Sequence, residues 1–194
     1  MINRKNIMVS SLTLGVVLML SGCVAPVLVA GAAGGAAVAK DERSSQAMLD
    51  DQFIAAKARD AIYDDLKRAK RIHVNVTSYN RVVLLTGEAL SKSTRNEAVE
   101  IARNIDNVRR VHNEIVVADL TSFSTRTNDS WITSKIKSQM FATKGFDSTR
   151  VKVVTENGTV FLMGLVNKNM GKQAGVIASN VNDVKRVIKL FEYY

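Results

Sequence analysis

"VNVTSYNRVVLLTGEA" (74–89) and "VKVVTENGTVFLMGLV" (151–166) follow one pattern. Apolar and polar residues alternate, a short polar stretch interrupts, apolar residues resume, and a glycine stands near the end. Alternation with period two marks a half-buried strand. Asn157-Gly158 tolerates the positive φ that a tight hairpin turn needs, and "SYNR" (78–81) holds the same place in the first stretch. Each stretch therefore reads as a β-hairpin. The flanks repeat as well. "DDQFIAAKARDAI" (50–62) aligns with "NDSWITSKIKSQM" (128–140), and "AVEIARNIDNVRRVHNEI" (98–115) with "AGVIASNVNDVKRVIKLF" (174–191). Three blocks recur in one order at nearly constant spacing, so the chain holds two copies of one unit.

The blocks give the unit its elements. Ile54, Ala58, Ala61, Ile62 and Leu66 lie on one helical face. Ile72, Val74 and Val76 alternate with His73, Asn75 and Thr77 in a first strand, and Val82 to Leu85 begin a second. Ala98, Ile101, Ala102 and Ile105 mark a second helix, and a last strand runs from Arg110 to Val117. The expected fold is α+β: two tandem αββαβ domains, each a three-stranded mixed sheet with two helices on one face. The first domain is expected over 48–118, a linker over 119–126 and the second domain over 127–194. Gly87 and Gly164 are read as structural glycines that end strand two, where the chain turns toward the second helix.

The start of the chain has a different character. Arg4 and Lys5 precede an uncharged, mostly apolar run from Ile7 to Leu20, followed by Ser21 and Gly22. That is the plan of a secretory signal, and the run is short of the roughly 20 apolar residues that a membrane span needs. The one cysteine of the chain, Cys23, comes next. "LSGC" (20–23) resembles the bacterial lipobox. The resemblance implies cleavage of residues 1–22, acylation of Cys23 and, because Val24 rather than Asp follows, retention in the outer membrane. Each buried CH₂ of an acyl chain contributes about 0.8 kcal/mol, and two chains already anchor stably. Residues 23–47 are then the lipidated cysteine and a Gly/Ala tether of roughly 25–30 Å as a coil. Gly31 and Gly35 also form the GxxxG spacing of close membrane-helix contacts, which leaves a second reading of that segment open.

Val-x-Leu-x-Gly at the end of strand two (83–87 and 160–164), and a helix followed by "NVRRVHN" (107–113) or "DVKRVIK" (183–189), resemble the BON domain. Two such units behind a lipobox resemble the dual-BON outer-membrane lipoproteins. That resemblance implies a protein facing the periplasm that binds anionic phospholipid, supports outer-membrane integrity and contacts the β-barrel assembly machinery. A protein-interaction adaptor of the envelope is the alternative reading.

An enzyme would need a constellation of reactive groups, and the sequence offers none. There is no second cysteine, and no catalytic residue, cofactor or metal ligand is expected. His73 and His112 read as solvated strand residues, since the second copy has Arg150 and Ile188 at those places. "GLVNKNMGK" (164–172) has six residues between its glycines instead of the four of a phosphate loop, and Gln173 stands where Ser or Thr would hold magnesium. The formal charge of +9 falls to +7 without Arg4 and Lys5. An exported chain does not meet nucleic acid, so its expected partners are anionic lipid or an acidic protein surface.

The copies differ in charge. Residues 46–119 hold twelve basic and eleven acidic residues, and residues 121–194 hold eleven and five. At 100° per residue, Ile132, Ile136 and Met140 face the second sheet. Trp131, Ser134, Ser138 and Phe141 fall opposite, with Lys135 and Lys137 beside them and Lys144 just beyond. Aromatics outward, small residues between and lysines at the edges suit an interfacial helix. Packing of Trp131 against a loop or the other domain is the competing reading, because Phe53 holds the same place in the first copy. The first helix carries Ala56, Asp60 and Tyr63 on that side, then Asp64 and Asp65, and an anionic surface would repel it. Six of these seven residues, on the first helix of the second copy, and Lys144 beyond it are the expected phospholipid contacts, with phosphatidylglycerol or cardiolipin as the ligand. The far face of the second sheet also carries Val154, Phe161, Met163, Ile188 and Leu190. Such a face is not left in water, and the first domain or a partner protein is expected to cover it.

Overall fold

In the computed structural model of the protein, residues 42–67 and 71–194 are described. The expected signal segment, Cys23, the Gly31/Gly35 pair and the tether as far as residue 41 lie outside them. Helix α1 spans Ser45–Ile62, and the Ser44 side chain caps it by accepting from the Ala47 amide. Ala47, Ile54, Ala58 and Ile62 recur on its buried face, and one wider turn, Tyr63–Lys67, brings Leu66 onto the same side. Strands β1 (Ile72–Tyr79) and β2 (Val82–Ala89) pair antiparallel. Helix α2 (Lys92–Arg103) then crosses over, and β3 (Arg110–Val117) joins β2 in parallel. The second copy repeats this with α3 (Phe123–Ala142), β4 (Lys152–Glu156), β5 (Thr159–Val166), α4 (Lys168–Ser179) and β6 (Arg186–Tyr193). The sheet orders are β1-β2-β3 and β4-β5-β6. Each domain is thus the expected αββαβ unit.

Each domain has its own core between helices and sheet. Ile54, Ala58, Ile62, Val83, Leu85, Ala98 and Ala102 make the first; Ile132, Ile136, Met140, Val160, Leu162, Ala174 and Ala178 make the second. A third apolar cluster joins the opposite faces of the two sheets. Tyr79, Val82 and Leu84 of the first domain bury Phe161 and Met163 of the second, and Val154, Ile188 and Leu190 pack around them. The first domain therefore covers the apolar face. At about 1.5–3 kcal/mol for each large apolar side chain buried, this contact holds the two sheets together, although it is smaller than either domain core. Polar contacts ring it: Arg109 and Asn80 both donate to Glu192, and the Tyr79 hydroxyl donates to the Arg150 carbonyl.

Both hairpin turns are fastened by an aspartate of the preceding helix. Asn80 and Arg81 have φ of 52° and 62°, and Asn157 and Gly158 have 46° and 74°. In the first turn Asp51 accepts from the Asn80 and Arg81 amides and from the Ser78 hydroxyl, each at 2.7 Å. In the second, Asp129 accepts from the Asn157 and Gly158 amides, both at 2.8 Å. The left-handed backbone turns both amides inward, and each carboxylate satisfies them.

Several expectations need correction. Gly87 and Gly164 do not sit where the chain turns toward the second helix. They lie inside β2 and β5, paired to Val74 and Ile115 and to Phe191, respectively. What excludes a side chain is close backbone approach: a Cβ at Gly87 would overlap the His73 carbonyl oxygen, and one at Gly164 the Arg150 carbonyl oxygen. Gly87 also has φ of +122°. The helices start earlier than the expected domain edges, at Ser45 instead of 48 and at Phe123 instead of 127, because Ser44 and Ser122 cap them.

Candidate membrane-contact face and inter-domain cleft

Helix α3 has two apolar sides. Ile132, Ile136 and Met140 are fully buried against β4 and β5. Trp131, Ser134, Lys135, Lys137, Ser138, Phe141 and, after the helix, Lys144 are all exposed. Helical spacing puts the six residues on α3 along its outer side, and Lys144 follows the helix end. Phe141 is 82 % exposed and Trp131 49 %. Lys135 Nζ lies 6.0 Å from the centre of the Trp131 ring, at the outer limit of a cation–π contact.

The earlier start of α3 adds residues that the sequence reading missed. Phe123, Thr127 and Ser130 continue the same stripe toward the N-terminus, Arg126 flanks it, and Phe123 is 79 % exposed. The signal was "SFST" (122–125): the Ser122 hydroxyl accepts from the Thr125 amide, which fixes the first turn. From Phe123 to Phe141 the stripe runs about 27 Å at 1.5 Å per residue.

The small polar residues of the stripe are hydrogen-bonded within the helix. Thr127 Oγ1 donates to the Phe123 carbonyl, Ser130 Oγ to that of Arg126, Ser134 Oγ to that of Ser130 and Ser138 Oγ to that of Ser134, at 2.9–3.0 Å. A hydroxyl bonded back onto its own helix loses little when water is withdrawn from it. The face therefore combines three exposed rings, internally satisfied hydroxyls and flanking cations.

Its electrostatics are one-signed. The one acid of α3, Asp129, is buried and committed to the hairpin turn. Among the described residues no carboxylate forms an ion pair with Arg126, Lys135, Lys137 or Lys144. Lys152, beside the helix, is held below the usual lysine range, first by burial and then by the neighbouring charges of Lys137 and Arg43. The outer side of α1 differs: Phe53 and Tyr63 are exposed there, but so are Asp60 and Asp64. No helix among the described residues is long and apolar enough to cross a membrane.

Between the edge strands β1 and β4, next to α3, opens a cleft of about 710 Å³. His73 and Glu156 lie on its wall, and His73 departs from the sequence expectation. Its side chain is 12 % exposed and its Nδ1 lies 3.1 Å from Glu88 Oε2. The stacked second sheet takes away the solvent that the strand pattern assigned to it. His112 is half-buried too, and burial followed by the charge of Arg110 pushes its imidazole below the ordinary value. Burial raises the Glu156 carboxyl and Glu88 adds to this, against hydrogen bonds from Asn75 and Thr86. His73, Glu88 and Glu156 are the described residues whose donor atoms converge closely enough for a metal ion.

Residues 50–119 and 128–193 each match the BON domain family. The chain is 38 % identical over 183 residues to the outer membrane lipoprotein DolP of Haemophilus influenzae, covering 94 % of each chain. It is 34 % identical over 153 residues to the 21 kDa hemolysin of Actinobacillus pleuropneumoniae, covering 79 % of each. It is 32 % identical over 142 residues to the osmotically-inducible protein Y of Escherichia coli K12, covering 72 % of this chain and 70 % of that one.

Proposed function

Because the chain belongs to the BON-domain family, with two such domains in tandem, we propose that it is a lipid-anchored protein of the bacterial outer membrane. It faces the periplasm and uses the outer side of α3 to bind anionic phospholipid. The similarity to an outer membrane lipoprotein over nearly the full length supports the location, and "LSGC" with Cys23 supports the anchor. The reading is not enzymatic: the protein holds envelope patches by contact and so supports their integrity.

The observation that carries lipid binding is the surface of α3. Exposed Phe123, Trp131 and Phe141 supply apolar area, and Arg126, Lys135, Lys137 and Lys144 supply charge that no carboxylate among the described residues pairs with. A Lys or Arg near an anionic surface contributes about 1 kcal/mol. Four of them contribute on the order of 4 kcal/mol, only millimolar binding for a free protein. Tethering at Cys23 raises the effective concentration beside the bilayer, so the anchor sets residence on the membrane and α3 sets the preference for patches rich in phosphatidylglycerol or cardiolipin.

Vesicle flotation of the form lacking residues 1–23 tests this. Lys135→Glu with Lys137→Glu removes about 2 kcal/mol of attraction and adds repulsion, so affinity for phosphatidylglycerol vesicles should fall by at least roughly thirty-fold. Binding that is unchanged by the pair, or insensitive to salt, would contradict the reading. A second reading, an envelope adaptor such as one that meets the β-barrel assembly machinery, draws on a separate surface. Among the described residues nothing pairs with the outer edge of β3, and Val116, Val117 and Leu120 are exposed beside it. Capture of a protein partner that survives loss of vesicle binding would favour that adaptor.

A further inference from the structure

We propose that His73, Glu88 and Glu156 form a site for a divalent first-row metal ion of the Zn²⁺ type at the junction of the two domains. The inference stands apart from the lipid reading, since none of the three residues lies on α3. His73 comes from β1 and Glu88 from β2 of the first domain; Glu156 ends β4 of the second. One donor atom from each lies within 4.8 Å of the others. Ligands about 2.1 Å from a tetrahedral ion stand about 3.4 Å apart, so small rotamer shifts close the set. His73 Nδ1 and Glu88 Oε2 are already at 3.1 Å.

The surroundings resemble those of a built site. Both carboxylates are buried, Glu88 at 4 % and Glu156 at 8 % exposure. Among the described residues no Lys or Arg forms an ion pair with either, and Glu88 meets the imidazole of His73 instead. Two buried carboxylates that face one imidazole are costly as bare charges, and a divalent ion compensates them. A second shell orients both. Asn75 Nδ2 and Thr86 Oγ1 donate to Glu156 Oε2, at 2.8 and 3.1 Å. The Thr121 amide and hydroxyl donate to Glu88 Oε2, at 3.3 and 3.1 Å. Such partners fix the orientation of metal-binding carboxylates. The cleft beside β1 and β4 gives an ion its way in, and a water from it completes the coordination.

The donor set selects the ion class. Imidazole with two carboxylates suits Zn²⁺ and its first-row neighbours, whereas Mg²⁺ and Ca²⁺ take oxygen alone. Because the ligands come from both domains, the bound ion clips one sheet to the other.

The test uses the full chain, purified in detergent and stripped with chelator, then titrated calorimetrically with ZnCl₂ and in parallel with MgCl₂. One Zn²⁺ should bind per chain, with a rise in melting temperature that chelator reverses, and Mg²⁺ should not compete. Glu88→Gln and Glu156→Gln keep side-chain size and one carbonyl acceptor, and His73→Gln keeps a polar side chain of similar length. Each should weaken Zn²⁺ at least ten-fold, while His112→Gln binds like the wild type. Melting without metal identifies any variant that fails to fold, and the remaining two then decide. No Zn²⁺ binding, binding indifferent to all folded variants of the three, or equal binding of Mg²⁺ would overturn the proposal.

Discussion

Replacing Asp129 by alanine removes the acceptor for two backbone amides at once. The Asn157 and Gly158 amides both point at its carboxylate at 2.8 Å, and the Gly158 amide is buried. The Asn157-Gly158 backbone lies in the left-handed region and cannot turn these amides elsewhere without undoing the hairpin. A hydrogen bond to a charged group contributes about 1.5–3 kcal/mol, so two give a nominal 3–6 kcal/mol. Water reaching the Asn157 amide recovers part of that, which leaves a loss of about 3 kcal/mol. For a chain of this length the melting temperature should fall by about 6–12 °C, read by circular dichroism. Asp129→Asn keeps one carbonyl oxygen at the same place and should lose about half as much. Asp51→Ala should cost more, because Asp51 accepts three bonds and also pairs with Arg43 at 2.9 Å. A fall of less than about 2 °C for Asp129→Ala, or the reverse order of the two alanine variants, would refute the idea that these acids fasten the turns.

Gly164→Val should lower the melting temperature, because its Cβ meets the Arg150 carbonyl; overpacking costs about 1–3 kcal/mol, and an unchanged melting curve would show the position to be tolerant. Cys23→Ala should release the protein from the outer membrane or block its maturation while leaving the paired domains folded, as fractionation and a melting curve would report. In metal-free protein the carboxyl of Glu156 is raised in the folded state by burial and by Glu88. The folded state therefore binds the proton more tightly, and stability should fall as pH rises from the ordinary carboxyl value through the folded one. Denaturant titrations across that window should show this slope, and Glu156→Gln should flatten it.

The duplication, the order of elements and the outward stripe of α3 were legible because they rest on local periodicity. Ile132, Ile136 and Met140 recur at helical spacing, and Val74 and Val76 alternate, whatever the rest of the chain does. The turn geometry was not legible in the first copy. "SYNR" contains no glycine, and the residue that holds its left-handed backbone is Asp51, some 30 positions away. Gly87 and Gly164 were misplaced for a related reason: a carbonyl of the preceding segment excludes their side chains, and no local pattern reports it. His73 shows a different failure. The apolar far face of the second sheet implied a cover, and the first domain was the expected one. The same stacking must then cover the first sheet's far face, so His73 loses its solvent. Alternation identifies which residues share a face; it does not say that a polar face meets water.

The most direct measurement uses the one tryptophan of the chain. Trp131 is half-exposed on the outer side of α3, so its emission reports that face alone. The form lacking residues 1–23 should show a blue shift of Trp131 and quenching by brominated acyl chains on vesicles containing phosphatidylglycerol or cardiolipin. Both effects should be absent with neutral vesicles and should fade as salt rises. Protein that floats with anionic vesicles while Trp131 emission stays unshifted and unquenched would contradict the assignment of lipid contact to α3.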